Sequence, residues 1–390
     1  MSFHSLPSRF RRRALGAVVF SSALVLAACG GDDDKSSRLP EAGTAQLVVL
    51  ETTDLHANLL SYDYFKLAED KSVGFERTAT LIRQARAEFP NTVLIDNGDT
   101  IQGTALADYQ ALVSPVSCST KLATYKAMDA IGYDAGTLGN HEFNYGLPYL
   151  AQVTGTRFNV EGMPEPAAQA LCKGPDFPLA LANVTSRKDG QTLYKPYVML
   201  ERKITGVDKD GKTFEGKIKV AVIGFTPPPI LSWDKRWLDG KVGVQGVVEA
   251  AGKYVPMARA EGADLVIAAS HGGFDSSAYS ATMENANYHL AKQAGIDGIL
   301  MGHSHSEFPN AACSTTDCNA SGVDKVKGTL HGVPAVMPSR ATNAGSSMAC
   351  RAGVASPEPS LWASTRPTPI RPRARPSHCA GRTRSPRNKP

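Results

Sequence analysis

Along the chain, short runs of consecutive apolar and β-branched residues alternate with longer stretches in which apolar positions recur every three or four residues. The runs "QLVVLETT" at 46–53, "TVLID" at 92–96, "KVAVIGF" at 219–225, "DLVIAAS" at 264–270 and "DGILMG" at 297–302 lack polar alternation, which predicts strands covered on both faces. Between them, "FERTATLIRQARAEF" places Phe75, Ala79, Ile82, Ala85 and Phe89 on one face of a helix. "YSATMENANYHLAKQAG" reads as a further helix closed by Gly295, and "VDKDGKTFEGK" as a hairpin turn around Asp210 and Gly211. Such alternation predicts an α/β architecture rather than a sandwich of hairpins. There is no internal repeat.

The 390 residues, 42% hydrophobic, suffice for one large domain or two ordinary ones with a substantial core. The net charge of +5 is unevenly placed: Arg9, Arg11, Arg12 and Arg13 give the first 28 residues about +4, and residues 339–390 carry about +9, leaving the middle near −8. An acidic body argues against a nucleic-acid polymer as partner, because such binding relies on clustered Lys and Arg. It is compatible with a carboxylate-rich metal site.

The first 29 residues predict export. A basic "RFRRR", the apolar "ALGAVVFSSALVL" and small residues before Cys29 form a signal segment too short to span a membrane comfortably as a mature helix. Leu26-Ala27-Ala28-Cys29 resembles a bacterial lipobox, which implies cleavage, lipidation of Cys29 and a place in the periplasm or cell envelope, anchored to the membrane. Residues 30–43 then read as a flexible tether. From about residue 339 the hydrophobic period ends in a Pro- and Arg-rich tail with almost no acid. A basic arm, a disordered tail and a stretch read in the wrong frame all fit it. The last is favoured, because "GVPAVMP" runs into the tail while a sheet is still being built. Setting aside Cys29, Cys350 and Cys379, four cysteines remain, Cys118, Cys172, Cys313 and Cys318; in an exported chain they predict disulfides, with Cys313–Cys318 the favoured local pair.

The polar clusters all follow strands: Asp54 and His56 after the first, Asn97-Gly98-Asp99 after the second, Asn140-His141-Glu142 after "YDAGTLG", His271 after "DLVIAAS", and His303 and His305 after "DGILMG". Carboxyl ends of neighbouring strands converge on one edge of a sheet, so these scattered residues can share one site. Two aspartates, an asparagine and four imidazoles form an oxygen and nitrogen donor set suited to Mn, Fe, Co or Zn and too nitrogen-rich for a Ca or Mg cage. Seven ligands exceed one tetrahedral ion and suit two ions sharing a carboxylate.

Taken in order, Asp54-x-His56, Gly98-Asp99, Gly139-Asn140-His141-Glu142, His271 and Gly302-His303-x-His305 resemble the signature of the calcineurin-like metallophosphoesterases. "ETTDLHANLLSYDYFK", "LIDNGDTIQGTALADY", "TLGNHEFNYGLPYL" and "KGTLHGVPAVMP" resemble the cyclic-nucleotide phosphodiesterase/3'-nucleotidase branch, over residues 44–338. The resemblance implies a four-layer α/β/β/α sandwich over 44–338, flanked by disordered ends, and two divalent ions (Mn, Co, Zn, Fe or Mg). Asp99 would bridge them; Asp54, His56 and His305 would complete one position, and Asn140, His271 and His303 the other. His141 would be the catalytic histidine, stabilising phosphoryl oxygens or protonating the leaving alkoxide, with Asn144 beside it where many related 5'-nucleotidases carry aspartate. Glu142 is expected to hold the loop by hydrogen bonding.

The implied activity is hydrolysis of 2',3'-cyclic nucleotides to 3'-nucleotides and then nucleosides, by a monomer that scavenges nucleotides. A 5'-nucleotidase or nucleotide-sugar hydrolase is the enzyme alternative, and a lipid-anchored metal-binding protein without turnover the non-enzyme one. Full members of the branch carry a second, C-terminal nucleotide-binding domain, expected to be missing here. Trp233 and Trp237 in "PPPILSWDKRW" read as surface or core packing residues rather than a wall of the cleft, and His289 and His331 as structural.

Overall fold

The computed structural model describes residues 44–338 and the backbone of Met348–Ala355. The predicted signal, Cys29 and the tether lie outside the described residues, as does the tail except for that one strand.

Eleven strands form one hydrogen-bonded path. In chain order they are β1 (Thr44–Thr52), β2 (Thr92–Asp96), β3 (Ala135–Gly136), β4 (Tyr197–Val207), β5 (Thr213–Phe225), β6 (Leu265–Ser270), β7 (Gly298–Met301), β8 (Val323–Asp324), β9 (Thr329–Leu330), β10 (Val333–Val336) and β11 (Met348–Ala355). The spatial order is β8-β9-β10-β7-β6-β5-β4-β1-β2-β3, with β11 antiparallel to β1. The β4–β1 link is thin, only Thr44 opposite Val207 and Ala45 opposite Gly206. Asn91 reinforces it: its side chain donates to the Gln46 and Thr205 carbonyls and accepts from the Thr205 amide.

The path folds over at this corner. Strand side chains alternate between faces, and Leu47, Val49, Val93 and Ile95 pack with Val220, Val222, Ile267, Leu300 and Val336 in one cluster between the two halves. Val48, Leu50 and Leu94 point the other way, into a cluster with α1 (Phe75–Glu88), α2 (Ala123–Ile131) and α3 (Leu147–Thr154). Ala221, Ile223, Val266 and Ala268 meet α4 (Val247–Ala260) in a third cluster. Helix, sheet, sheet and helix therefore form the four expected layers.

Three expectations shift. The segment read as a helix ending at Gly295 is helical only over Asn287–Leu290. Its polar side chains bind backbone elsewhere: Asn285 accepts from the Gly273 amide, and Asn287 donates to the Ser270 and Gly272 carbonyls. Such bonds compete with helix formation. Secondly, "YDAGTLG" contributes just two strand residues before its loop begins. Thirdly, residues 348–355 of the tail expected to lack structure form β11, whose backbone pairs along the edge of β1. The hairpin turn is where the pattern put it, with Gly211 at φ +79° and the Asp208 carboxylate accepting from the Asp210 and Lys212 amides. The disulfides are Cys313–Cys318 and Cys118–Cys172.

Candidate metal centre

Strands β1, β2 and β3 run parallel to one another in one half, and β5, β6 and β7 in the other. The loops after their carboxyl ends carry the seven expected ligands. β1 to β3 supply Asp54, His56, Asp99 and Asn140; β6 and β7 supply His271, His303 and His305. Donor atoms of six of these residues, together with His141, gather in three overlapping groups, each within 4.8 Å: Asp54, His56 and His305; His56, Asp99 and His141; and Asp99, His271 and His303.

Each carboxylate divides its oxygens between protein and site. Asp54 Oδ2 accepts from the Thr53 hydroxyl at 2.6 Å and the His303 amide at 3.1 Å, while Oδ1 faces His305 Nε2 at 3.0 Å, His56 Nε2 at 3.8 Å and His271 Nε2 at 3.9 Å. Asp99 Oδ1 accepts from the His141 amide at 2.8 Å, while Oδ2 stands 3.0 Å from His271 Nε2 and 4.0 Å from His141 Nε2. The imidazoles are oriented from behind. His56 Nδ1 donates to the Gln102 carbonyl at 2.9 Å and His271 Nδ1 to the Asn97 carbonyl at 2.7 Å, which turns each Nε2 lone pair toward the site. His303 is reversed: Nε2 lies 2.7 Å from the Glu284 carboxylate, leaving Nδ1 available to an ion.

These residues fit a divalent ion. Asn140 Oδ1 is buried without a hydrogen-bond partner, a costly arrangement for a polar acceptor unless something electropositive satisfies it. Charge points the same way. Burial alone would disfavour the protonated His271 ring, yet Asp99 and Asp54 beside it push it up to about 10. Burial likewise works to raise Asp54, but His271 and the His305 hydrogen bond hold it well below the usual carboxylate range. The site calls for positive charge, which a proton supplies when no ion does.

The backbone here is strained. Asp54, His56, Asp99, His303 and His305 all have left-handed φ, between 46° and 67°. Each non-glycine residue held so costs about 1 kcal/mol or more, and the cost concentrates at functional sites. Gly139 is required for approach: a Cβ there would stand 2.2 Å from Asp99 Oδ1 and 2.7 Å from the His271 ring. Buried Glu142 ties two loops together, accepting from the amides of Asp99, Thr100, Ile101 and Gly139, as expected.

His141 occupies the open side. Its side chain is 37% exposed, whereas His271 is fully buried. Nδ1 donates to Asn144 Oδ1 at 2.6 Å. A cavity of about 720 Å³ opens beside it, lined by Asp54, His56, Tyr62, Gln102, His141 and His305, a size that suits a small-molecule substrate.

The profile of the calcineurin-like phosphoesterases matches residues 47–307. The chain belongs to that family. This calcineurin-like phosphoesterase is 41% identical over 298 residues to the 2',3'-cyclic-nucleotide 2'-phosphodiesterase/3'-nucleotidase of Yersinia enterocolitica, covering 76% of this chain and 42% of that one. It is 31% identical over 269 residues to the snake venom 5'-nucleotidase of Naja atra, covering 68% and 42%. The crystal structure of the calcineurin-like phosphoesterase YfkN from Bacillus subtilis superposes with a TM-score of 0.69 at 40% identity, over 80% of this chain and 85% of that one. The chain thus spans about two fifths of the length of those two curated relatives.

Two supporting residues of the phosphoesterase site were invisible to sequence reasoning. Glu284 behind His303 sits in the segment misread as a helix. Asp234, bonded to Asn144, lies in "SWDKRW", between two tryptophans and outside every metal-ligand pattern. Trp233 lies at the surface, 45% exposed, and stacks on His303, 5.5 Å between centroids. Trp237 does pack against the core, and its indole N–H donates to the Asn144 carbonyl. His289 and His331 stand outside these donor groups; His289 pairs with the Ser277 carbonyl.

Proposed function

We propose that this chain is a metal-dependent hydrolase of nucleotide phosphoesters that opens 2',3'-cyclic nucleotides to 3'-nucleotides and then releases the nucleoside. The observation that carries the reading is the overlap of three donor groups around Asp99 and His56, with a half-exposed histidine facing a cavity on their open side. Overlap of this kind suits two ions rather than one. Asp99 would serve both; Asp54, His56 and His305 would hold the first, and Asn140, His271 and His303 the second. Divalent ions so bound neutralise phosphoryl oxygens and acidify water toward neutrality.

The chain's own residues supply the rest. Buried Asp99 and His271 fix the floor of the site, so a phosphoryl group can enter only from the side of His141 and His305. Water adds to phosphorus and gives up a proton to solvent, the bond to the 2'-oxygen breaks, and His141 Nε2, protonated beforehand, delivers the proton that this oxygen needs to leave as a hydroxyl. General acid help of this kind is worth about 10² to 10⁴-fold. The same proton delivery serves the 3'-ester in a second round.

Support for the cyclic substrate comes from Asn144, an uncharged partner to His141, and from the name of the Yersinia relative. The test compares 2',3'-cyclic AMP, 3'-AMP and 5'-AMP on protein reconstituted with Mn or Co. Fastest turnover of 5'-AMP would overturn the choice of substrate. Two equivalents of bound metal without cleavage of even an aryl phosphodiester would leave a metal-binding protein. Export and lipidation at Cys29 complete the proposal: the wild type should partition into detergent, and Cys29→Ala into the aqueous phase.

A further inference from the structure

Asn144 is clasped by one short segment 90 residues away in sequence. The Asp234 carboxylate lies 3.1 and 3.2 Å from its Nδ2, and Trp237 Nε1 and the Arg236 guanidinium both donate to its main-chain carbonyl, at 2.9 and 3.4 Å. Asp234 is buried between the helical turns Ile230–Trp233 and Lys235–Leu238. Asn144 is the sole side chain with a hydrogen bond to its carboxylate among the described residues.

This arrangement settles a choice that an asparagine alone leaves open. An amide can present either its NH₂ or its carbonyl to a neighbour, and a histidine ring can carry its proton on either nitrogen. An ionised carboxylate only accepts. Asp234 therefore draws the NH₂ of Asn144, which turns Oδ1 toward His141. A carbonyl also only accepts, so Nδ1 of His141 must hold a hydrogen, and Nε2 becomes the nitrogen that exchanges protons with substrate.

We propose that Asp234 is a positioning residue for the reaction: through Asn144 it fixes the tautomer of His141, so that Nε2 faces the leaving oxygen. The proposal rests on the reading of His141 as the proton donor. Asp234 touches neither substrate nor ions. It performs at one remove the task that an aspartate at position 144 would perform directly.

The test uses the full chain, loaded with zinc, and four variants: Asp234→Asn, His141→Ala, Asn144→Asp and the pair Asn144→Asp with Asp234→Asn. Asp234→Asn keeps the volume but lets residue 234 offer either end of an amide, so the polarity of Asn144 is no longer dictated. Nitrogen-15 NMR of the histidine rings, with the His141 signals assigned by their loss in His141→Ala, should show a hydrogen on Nδ1 in the wild type and a tautomer mixture in Asp234→Asn. Turnover of 3'-AMP should fall roughly tenfold or more with KM nearly unchanged, while an aryl phosphate, whose leaving group needs no proton, should lose less. The paired variant should recover both the tautomer and the rate, because the carboxylate introduced at position 144 then accepts from Nδ1 while the amide introduced at position 234 donates to that carboxylate.

An unchanged tautomer in Asp234→Asn overturns the proposal, as does an equal loss on both substrates, which marks a merely structural role. A His141→Ala variant as fast as the wild type on 3'-AMP instead overturns the role of His141, and the proposal falls with it. Those failures are separable, because the NMR result does not depend on turnover.

Discussion

Asp96 ends β2 fully buried, taking hydrogen bonds from the hydroxyls of Thr52 and Thr100. Burial pushes its carboxyl up to about 7 against those bonds. Between its ordinary 3.8 and about 7, the folded chain holds a proton there that the unfolded chain has released. The group's contribution to stability is therefore complete below the lower value and lost as pH rises to the upper one. Asp96→Asn removes that titration while keeping the shape. Its melting temperature relative to wild type should climb from pH 4 to about pH 7 and then level; an offset independent of pH would show that Asp96 ionises normally. The ligand residues predict a different split. Asp99→Ala should lose bound metal and activity together, because one oxygen holds the His141 loop and the other, beside His271, is the proposed metal ligand. His141→Ala should keep the metal, measured by elemental analysis, and lose turnover of about 10²-fold or more on nucleotide esters.

At the level of elements, Glu142 joins the loop after β2 to the loop after β3 through four backbone amides. Glu142→Gln replaces one acceptor by a donor facing N–H groups, and each unsatisfied buried group costs about 1 to 3 kcal/mol. The variant should melt well below wild type and bind metal more weakly, although Glu142 reaches no ion; calorimetry and metal titration check both. The elements also show what the sequence could and could not tell. β1, β2, β6 and β7 were legible because strands covered on both faces need unbroken apolar runs, and the clustering of the candidate ligands was legible because parallel strands end on one edge. Glu284, Asp234 and Trp233 were not, since each acts through a single long-range contact that leaves no period behind. The misread helix has the same origin: Asn285 and Asn287 serve β6 and the loop after it instead of their own backbone.

Across the whole molecule, ion binding, protonation and folding are linked. With Asp99 and Asp54 pushing His271 up to about 10, an ion must displace its proton at neutral pH. Apparent affinity should then rise with pH, by as much as about tenfold per unit below that value. Ligand at a hundred times its dissociation constant adds about 2.7 kcal/mol to stability. Added Mn should accordingly raise the melting temperature more at pH 8 than at pH 6, and equal shifts would mean that His271 is already neutral.

Asn91 gives this linkage a mechanical side. It pins β1 to β4 at one end of the two facing sheets, like the spine of a book. The candidate ligands stand at the opposite end of β1, four on one leaf and three on the other. With the spine stitched, the easiest way for the leaves to part is at the fore-edge, and an ion held from both sides closes it like a clasp. Hydrogen exchange should therefore slow most, on adding metal, at the carboxyl ends of β1, β2 and β6, and barely change around Asn91.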